Sequence, residues 1–404
     1  MAFGSSLLAV LVLTLSVAAK PIEIRDNFVS LPLTKHLNLT GTGNLLARDQ
    51  ARVKALKNRS ANVQSASADA SNVPVTNQAS YYSVQVGVGS STNDYTLIVD
   101  TGSSNTWVGA DKPYDPSSDP TGVVSVTYGS GFFIGLEYDA TLYLGSLIIT
   151  DQSIGDADYA EGFDGVDGIL GLGPVDLTSD TVLGTSTVPT VTDNLYSQNS
   201  ISEDLVAISF EPTTTESSTN GELTFGGTDS SKYTGSINYV PITTTSPASE
   251  YWGIDQSVTY GSSGTPILSE TAGIVDTGTT LILLASDAYS AYQSATGATA
   301  DETTGLLRIT ESQYSDLESL YFNIGGVTYE LTANAQIWPR SLNSVIGGSS
   351  DYVYLVVGST GEASGSGLDF IDGYAFLERF YSVFDTGNSR VGLATTQYTD
   401  ATTN

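Results

Sequence analysis

The chain has 404 residues and a formal net charge of −30, from 44 acidic and 14 basic side chains. A body this acidic repels phosphate backbones, which argues against nucleic-acid binding. There is no Cys, so disulfides, thiol nucleophiles and cysteine metal sites are excluded, while the length suffices for a large core divided between two lobes.

Residues 1–19 are expected to be a signal peptide. Leu7–Leu15 is an apolar stretch and Ser16-Val17-Ala18-Ala19 offers a small-residue cleavage site. The stretch is too short to span a bilayer, and the polar tail Gln397–Asn404 carries no lipid-anchor signal. The expected location is therefore extracellular, by secretion, with no membrane anchor. Residues 20 to about 70 are expected to form a basic prosegment. Eight of the 14 basic residues lie there (Lys20, Arg25, Lys35, Arg48, Arg52, Lys54, Lys57 and Arg59), beside only Glu23, Asp26 and Asp49. The rest of the chain keeps 6 basic and 41 acidic residues. Cations of the prosegment would neutralise a body whose self-repulsion eases as carboxylates protonate, which suits an acidic working environment. Both N-glycosylation sequons, Asn38-Leu39-Thr40 and Asn58-Arg59-Ser60, fall in this segment. Ser60–Val73 is small and polar, and reads as an exposed linker and processing zone.

From Tyr81 onward, short β-prone runs alternate with Gly/Ser/Asp turns, so the expected class is all-β with a few short helices. Tyr82–Val88 alternates, Gly89–Asp94 turns, and Tyr95–Val99 leads into Asp100. Helices are predicted at Val191–Gln198, Ser286–Ala295 and Gln313–Leu320. The acidic run Asp156, Asp158, Glu161, Asp164 and Asp167 reads as a solvated loop, because its spacing and turn glycine do not fit an EF-hand.

Asp-Thr-Gly recurs in two matching settings: Leu97-Ile98-Val99-Asp100-Thr101-Gly102-Ser103 and Gly273-Ile274-Val275-Asp276-Thr277-Gly278-Thr279. Each is an apolar β-type run that breaks into the motif and then a small hydroxyl residue. Gly102 and Gly278 let backbone amides approach a carboxylate closely, and Thr101, Ser103, Thr277 and Thr279 can fix it by hydrogen bonds. Two copies suggest a duplicated module with one carboxylate from each half. Brought together at a cleft, the pair can share a proton and activate a water, one as base and the other as acid. A third copy, Asp385-Thr386-Gly387, continues into Asn388-Ser389-Arg390 and reads as a turn. The one His, His36, lies in the prosegment and so offers no Ser/His triad and no metal site to the rest.

Several ordered motifs give the chain a resemblance to the pepsin-like aspartic proteases, of the secreted basidiomycete type, the polyporopepsin group. They are Asp100–Val108, Tyr128-Gly129-Ser130-Gly131, Asp167–Gly173, Phe225-Gly226-Gly227 with Tyr233-Thr234-Gly235, Asp276–Thr279, Phe380–Asp385 and Arg390–Ala394. The resemblance implies two pseudo-twofold-related β lobes, residues ~71–215 and ~216–404, with the cleft between them. It implies Asp100 and Asp276 as the catalytic pair. It makes Tyr128 the flap residue, with Trp107 as hydrogen-bond partner of its hydroxyl and the amides of Gly129 and Ser130 on the substrate strand. Ile98, Tyr128 and Ile169 would line an apolar pocket. Ser130 stands where some fungal relatives carry Asp and accept Lys, so a preference for bulky apolar residues follows. The implied partners are polypeptide substrates, pepstatin-type inhibitors and the chain's own prosegment, with Lys54 or Lys57 reaching the dyad. A monomer without metal or organic cofactor is expected. The alternatives are a catalytically inactive pepsin-like binding or inhibitor protein, and a two-carboxylate glycosidase; intact motifs and the flap Tyr speak against both. Two departures stand out: the segment between Asp100 and Tyr128 is short, and Ile371-Asp372-Gly373 has Asp where an apolar residue is usual.

Overall fold

A computed structural model describes residues 28–37, 45–62, 80–129 and 131–404. The predicted signal peptide, Asn38, most of the predicted linker and Ser130 lie outside the described residues. Among those described, the architecture is mainly β, with three sheets of 13, 7 and 3 strands. None of the described helices is long and apolar enough to cross a membrane.

Strand β1 (Val29–Leu37) alternates, with Leu31, Leu33 and Lys35 buried. It falls in the expected prosegment yet lies inside the largest sheet, between Ser217–Phe225 and β2 (Ser80–Val88). Pro32 has no N–H to donate, and it falls where β1 pairs only with Ser217–Phe225, because pairing with β2 begins at Thr34. Strand β2 then pairs antiparallel with β3 (Asp94–Asp100). Beyond β3 the sheet continues through Gly168–Gly171, Trp107–Val108, Leu147–Glu161 and Phe132–Leu144 to Gly122–Thr127. On the other side it passes through Leu205–Ser209 and Phe380–Asp385 to Arg390–Thr395 and Thr234–Pro241, so the large sheet is shared by both halves of the sequence. The 7-stranded sheet holds Thr265–Val275 beside Phe370–Asp372, and so carries the second motif.

Helix α1 (Leu45–Asn62) is built from good helix formers and buries Leu45, Arg48, Asp49, Arg52, Val53 and Leu56, the three-and-four spacing of one face. It takes in residues 60–62, so the expected linker starts later than the composition suggests. Helices α2 (Val191–Ser197) and α3 (Ser286–Thr296) match their predictions. The third differs. Helix α4 covers only Glu311–Ser315, started by a reciprocal cap between Thr310 and Gln313, and Leu320 already opens a strand that pairs on both edges. A final helix, α5 (Tyr374–Leu377), follows Gly373. The acidic run is not a loop through its length: Asp156, Asp158 and Glu161 lie on the strand Leu147–Glu161. Asp167 is held by the amides of Thr96 at 2.7 Å and Lys112 at 3.0 Å. The third Asp-Thr-Gly is a turn, with Asp385 Oδ1 accepting from Asn388 N–H at 3.1 Å and Oδ2 from Arg390 Nε at 2.6 Å.

Candidate active site

Each motif carboxylate is delivered by a strand that runs into a tight loop. Strand β3 pairs in parallel with Gly168–Gly171, Val99 facing Leu170 and Asp100 facing Gly171. Thr265–Val275 pairs in parallel with Phe370–Asp372, Val275 facing Asp372. Leu170 and Asp372 therefore occupy equivalent places in two similar braces. Backbone bonds complete each brace: Leu172 N–H donates to the Asp100 carbonyl at 2.8 Å, and Asp276 N–H to the Asp372 carbonyl at 3.2 Å.

The two loops hold their carboxylates with the same donor set. Gly102 N–H reaches Asp100 Oδ1 at 2.9 Å and the Ser103 hydroxyl reaches Oδ2 at 2.6 Å. Gly278 N–H reaches Asp276 Oδ1 at 3.0 Å and the Thr279 hydroxyl reaches Oδ2 at 2.5 Å. Thr101 and Thr277 bind the loops to each other: each backbone N–H donates to the other's hydroxyl oxygen at 3.0 Å. The Thr277 hydroxyl donates onward to the Val99 carbonyl at 2.9 Å. A Cβ on Gly102 would stand 2.6 Å from Asp276 Oδ1, and one on Gly278 would stand 2.5 Å from Asp100 Oδ1. Glycine at both places is what allows two buried carboxylates to meet.

The two carboxylates are both engaged by a side chain of α1, in the expected prosegment. From α1, Arg52 Nη2 donates to Asp100 Oδ1 at 2.5 Å and to Asp276 Oδ1 at 2.9 Å, while Nε donates to Asp276 Oδ2 at 2.6 Å. This corrects the expectation of Lys54 or Lys57. Lys54 is exposed, and Lys57 reaches Glu362 at 2.7 Å and Ser366 at 2.8 Å instead. A planar guanidinium satisfies two carboxylates at once, which a point-like ammonium does less well. Burial opposes charge on Arg52, but Asp100 and Asp276 outweigh it and raise its pKa. Burial also raises the Asp100 pKa, opposed by Arg52 and assisted by Asp276. For Asp276 burial is overcome by Arg52, by the Thr279 hydroxyl and by the Gly278 amide, and its carboxyl lies below the usual range.

Other contacts seat α1 beside the second loop. Asp49 accepts from Leu281 N–H at 2.8 Å, Arg48 donates to the Thr280 hydroxyl, and the Tyr251 hydroxyl donates to the Leu56 carbonyl at 2.9 Å. Strand β1 adds Lys35, which is buried, lies 2.5 Å from Glu378 and stands over the Tyr374 ring. The Tyr82 hydroxyl donates to the same Glu378 oxygen at 2.9 Å. Sequence reasoning missed Arg52, Asp49 and Lys35. The available signal was the spacing of Arg48, Asp49 and Arg52, which puts all three on one helix face.

Tyr128 sits at the tip of a hairpin between Gly122–Thr127 and Phe132–Leu144, closed by Tyr128 N–H to the Gly131 carbonyl at 2.7 Å. Gly129 packs directly on the Arg52 backbone. Ile98, Trp107, Tyr128 and Ile169 share one apolar cluster with Phe133 and Phe163. The Trp107 side chain is close enough to the Tyr128 hydroxyl to oppose part of the rise in its pKa, while neither Trp107 Nε1 nor Tyr128 Oη has a partner at full hydrogen-bond geometry, and the rings stack with centroids 6.3 Å apart. Tyr128 stays protonated, its pKa raised first by burial and then by Asp100.

The profile of the family described as eukaryotic aspartyl protease matches residues 81–396. The chain is 66% identical to polyporopepsin of Irpex lacteus over 340 residues, 83% of this chain and all of that protein. It is 31% identical to pepsin A of Bos taurus over 330 residues, 76% of this chain and 82% of the relative. The crystal structure of the aspartic proteinase from Irpex lacteus superposes with a TM-score of 0.80 at 58% identity, covering 93% of this chain and all of that one.

Proposed function

The chain belongs to the eukaryotic aspartyl protease family, and on that premise we propose that Asp100 and Asp276 are its catalytic pair, within a secreted zymogen. It is a pepsin-like aspartic endopeptidase, a hydrolase of peptide bonds. The observation that carries the residue assignment is Arg52: one guanidinium reaches both carboxylates, so the two form one site.

As in aspartic proteases generally, close like charges resist double ionisation, and the pair titrates jointly with one shared proton. With the prosegment gone, the singly protonated pair holds a water between its carboxyls. One carboxylate takes a proton from that water, which attacks the peptide carbonyl, and the other carboxylic acid protonates the carbonyl oxygen. The gem-diol then collapses as the first acid passes its proton to the amide nitrogen, the C–N bond breaks, and a diol proton returns to the second carboxylate, restoring the singly protonated pair. Ser103, Thr279 and the amides of Gly102 and Gly278 keep both acids in plane and stabilise whichever is ionised. Besides the water and the substrate, the groups named in these steps are side chains and amides of the chain itself.

Zymogen control follows from the same charges. Asp100, its pKa raised, takes up a proton above the ordinary Asp range as pH falls, and its attraction for Arg52 goes first. Asp276, its pKa lowered, keeps its charge until the pH drops below that range. Acid therefore loosens the Arg52 clamp in two steps, and cleavage in the segment after α1 makes the release permanent. The apolar cluster of Ile98, Tyr128 and Ile169 supports a preference for bulky apolar residues beside the scissile bond.

The test is hydrolysis of denatured haemoglobin or casein from about pH 2 to about pH 7, with and without pepstatin, by wild type and Asp276→Asn. Activity that peaks in acid and vanishes in both controls is expected; activity retained by D276N would remove Asp276 from the mechanism. In a peptide panel, cleavage after Phe or Leu should exceed cleavage after Lys, and efficient cleavage after Lys would overturn the pocket assignment.

A further inference from the structure

Asp372 is fully buried in the brace behind Asp276, where the equivalent position of the other brace holds Leu170. Its carboxyl has one contact: Gln256 Nε2 donates to Oδ1 at 3.2 Å. Two buried oxygens are left over, Asp372 Oδ2 and Gln256 Oε1, both without a partner. Each belongs to one of the two planar groups already joined by the first hydrogen bond. Two acceptors cannot satisfy each other, and a buried ionised oxygen with no donor is costly. A proton on Oδ2 resolves both at once, because Oδ2–H then donates to Gln256 Oε1 and closes a cyclic acid–amide pair.

Among the described residues, the surrounding elements supply no countercharge. The neighbouring strand Gly253–Tyr260 contributes Gln256; Asp255, next to it, is exposed and takes the Thr243 hydroxyl at 2.9 Å. Ile282–Leu284 aligns Ile282 with Asp372. Thr265–Val275 aligns Val275 and continues into Asp276, whose carboxyl belongs to the dyad. From α5 come Tyr374 and, past its end, Glu378 and Arg379, which bind Lys35 and the carbonyls of Tyr398 and Ala401. Burial alone pushes Asp372 up to about 7, against the pull of Gln256.

The consequence falls on the second catalytic loop. The Asp372 carbonyl accepts from Asp276 N–H at 3.2 Å, Tyr374 N–H donates to the Thr279 carbonyl at 2.9 Å, and Ala375 N–H donates to the Thr280 carbonyl at 3.1 Å. We propose that Asp372 is a positioning residue that works as a neutral carboxylic acid paired with Gln256, and that its ionisation loosens the brace which holds Asp276. The inference rests on Asp276 being a catalytic carboxylate.

The test compares wild type, Asp372→Asn and Asp372→Leu as full chains activated in acid. Asn can form the same two hydrogen bonds with Gln256 without a titrating proton; Leu copies the equivalent brace. Proteins are held from about pH 4 to about pH 8, then assayed in acid for residual activity, and unfolding midpoints of the unactivated precursors are taken over the same range. The expected result is near-wild-type kcat and KM in acid, with the loss of activity displaced upward by about one pH unit or more in D372N. A D372N profile that follows wild type would overturn the proposal. Should both variants fail to fold, hydrogen exchange on the wild type decides. Protection of residues 271–283 lost on raising pH before that of 97–104 supports the proposal; simultaneous loss refutes it. If the catalytic reading itself were wrong, wild type would lack dyad-dependent acid activity, a different outcome from an active wild type whose profile D372N shares.

Discussion

On the zymogen reading proposed above, replacing Arg52 by Gln tests how the precursor is kept shut. The guanidinium makes three hydrogen bonds of 2.5–2.9 Å to the two carboxylates, all in a buried site. Removing one side of a buried ion pair costs about 3–5 kcal/mol when the other side stays charged. Here the dyad can take up a proton instead, so the lower end applies, about 3 kcal/mol, or about a 100-fold weaker hold of α1. The sign with pH follows both carboxylates: the Asp100 half of the wild-type clamp is lost first as pH falls, because its pKa is raised, and the Asp276 half persists until the pH drops below the ordinary Asp range, because its pKa is lowered. The R52Q precursor should therefore convert at a pH where wild type is stable, most visibly near pH ~5, followed by the mass of the product against time. Lys54→Gln, at an exposed position, serves as control and should stay within about twofold of wild type. Equal conversion by R52Q and wild type, or a larger effect from Lys54, would refute the assignment of Arg52 as the inhibitory group.

Asp100→Asn or Asp276→Asn, matured by added protease, should lower turnover by about 10²–10⁴-fold or more, since the loss is of proton transfer, not packing. Trp107 is fully buried and stacks on Phe133 with centroids 4.3 Å apart, so Trp107→Ala should cost about 3–5 kcal/mol in urea unfolding. Lys35→Met leaves Glu378 buried with only the Tyr82 hydroxyl on the oxygen Lys35 now holds. The neutral-pH unfolding midpoint of the precursor should fall by the equivalent of about 3 kcal/mol.

Much of the site was legible because chemistry constrains it tightly. A carboxylate needs donors at short range, and Asp-Thr-Gly-Ser/Thr writes those donors into four consecutive residues. Arg52 was not legible from charge alone, because Lys54 and Lys57 carry the same sign two and five residues away. What separates them is the helical face, and the match between a forked cation and two carboxylates. The α4 boundary failed for a different reason. Gln313–Leu320 mixes helix and strand formers, and its end is fixed by pairing with Gly253–Tyr260 and Val327–Leu331, partners remote in sequence. The acidic run misled similarly, since charges on a strand with one face in solvent resemble charges on a loop. Asp372 was visible as a departure from an apolar pattern, but the two idle oxygens around it exist only in three dimensions.

The reciprocal bonds between Thr101 and Thr277 join the halves of the molecule at the one point where the carboxylates meet. A joint at that place acts as a pivot. If the lobes rock, displacement grows with distance from it, so the rims of the cleft swing widely while the dyad moves least. A long peptide can then be admitted and released by motion at the rims, and the separation of the two acids stays constant throughout the stroke.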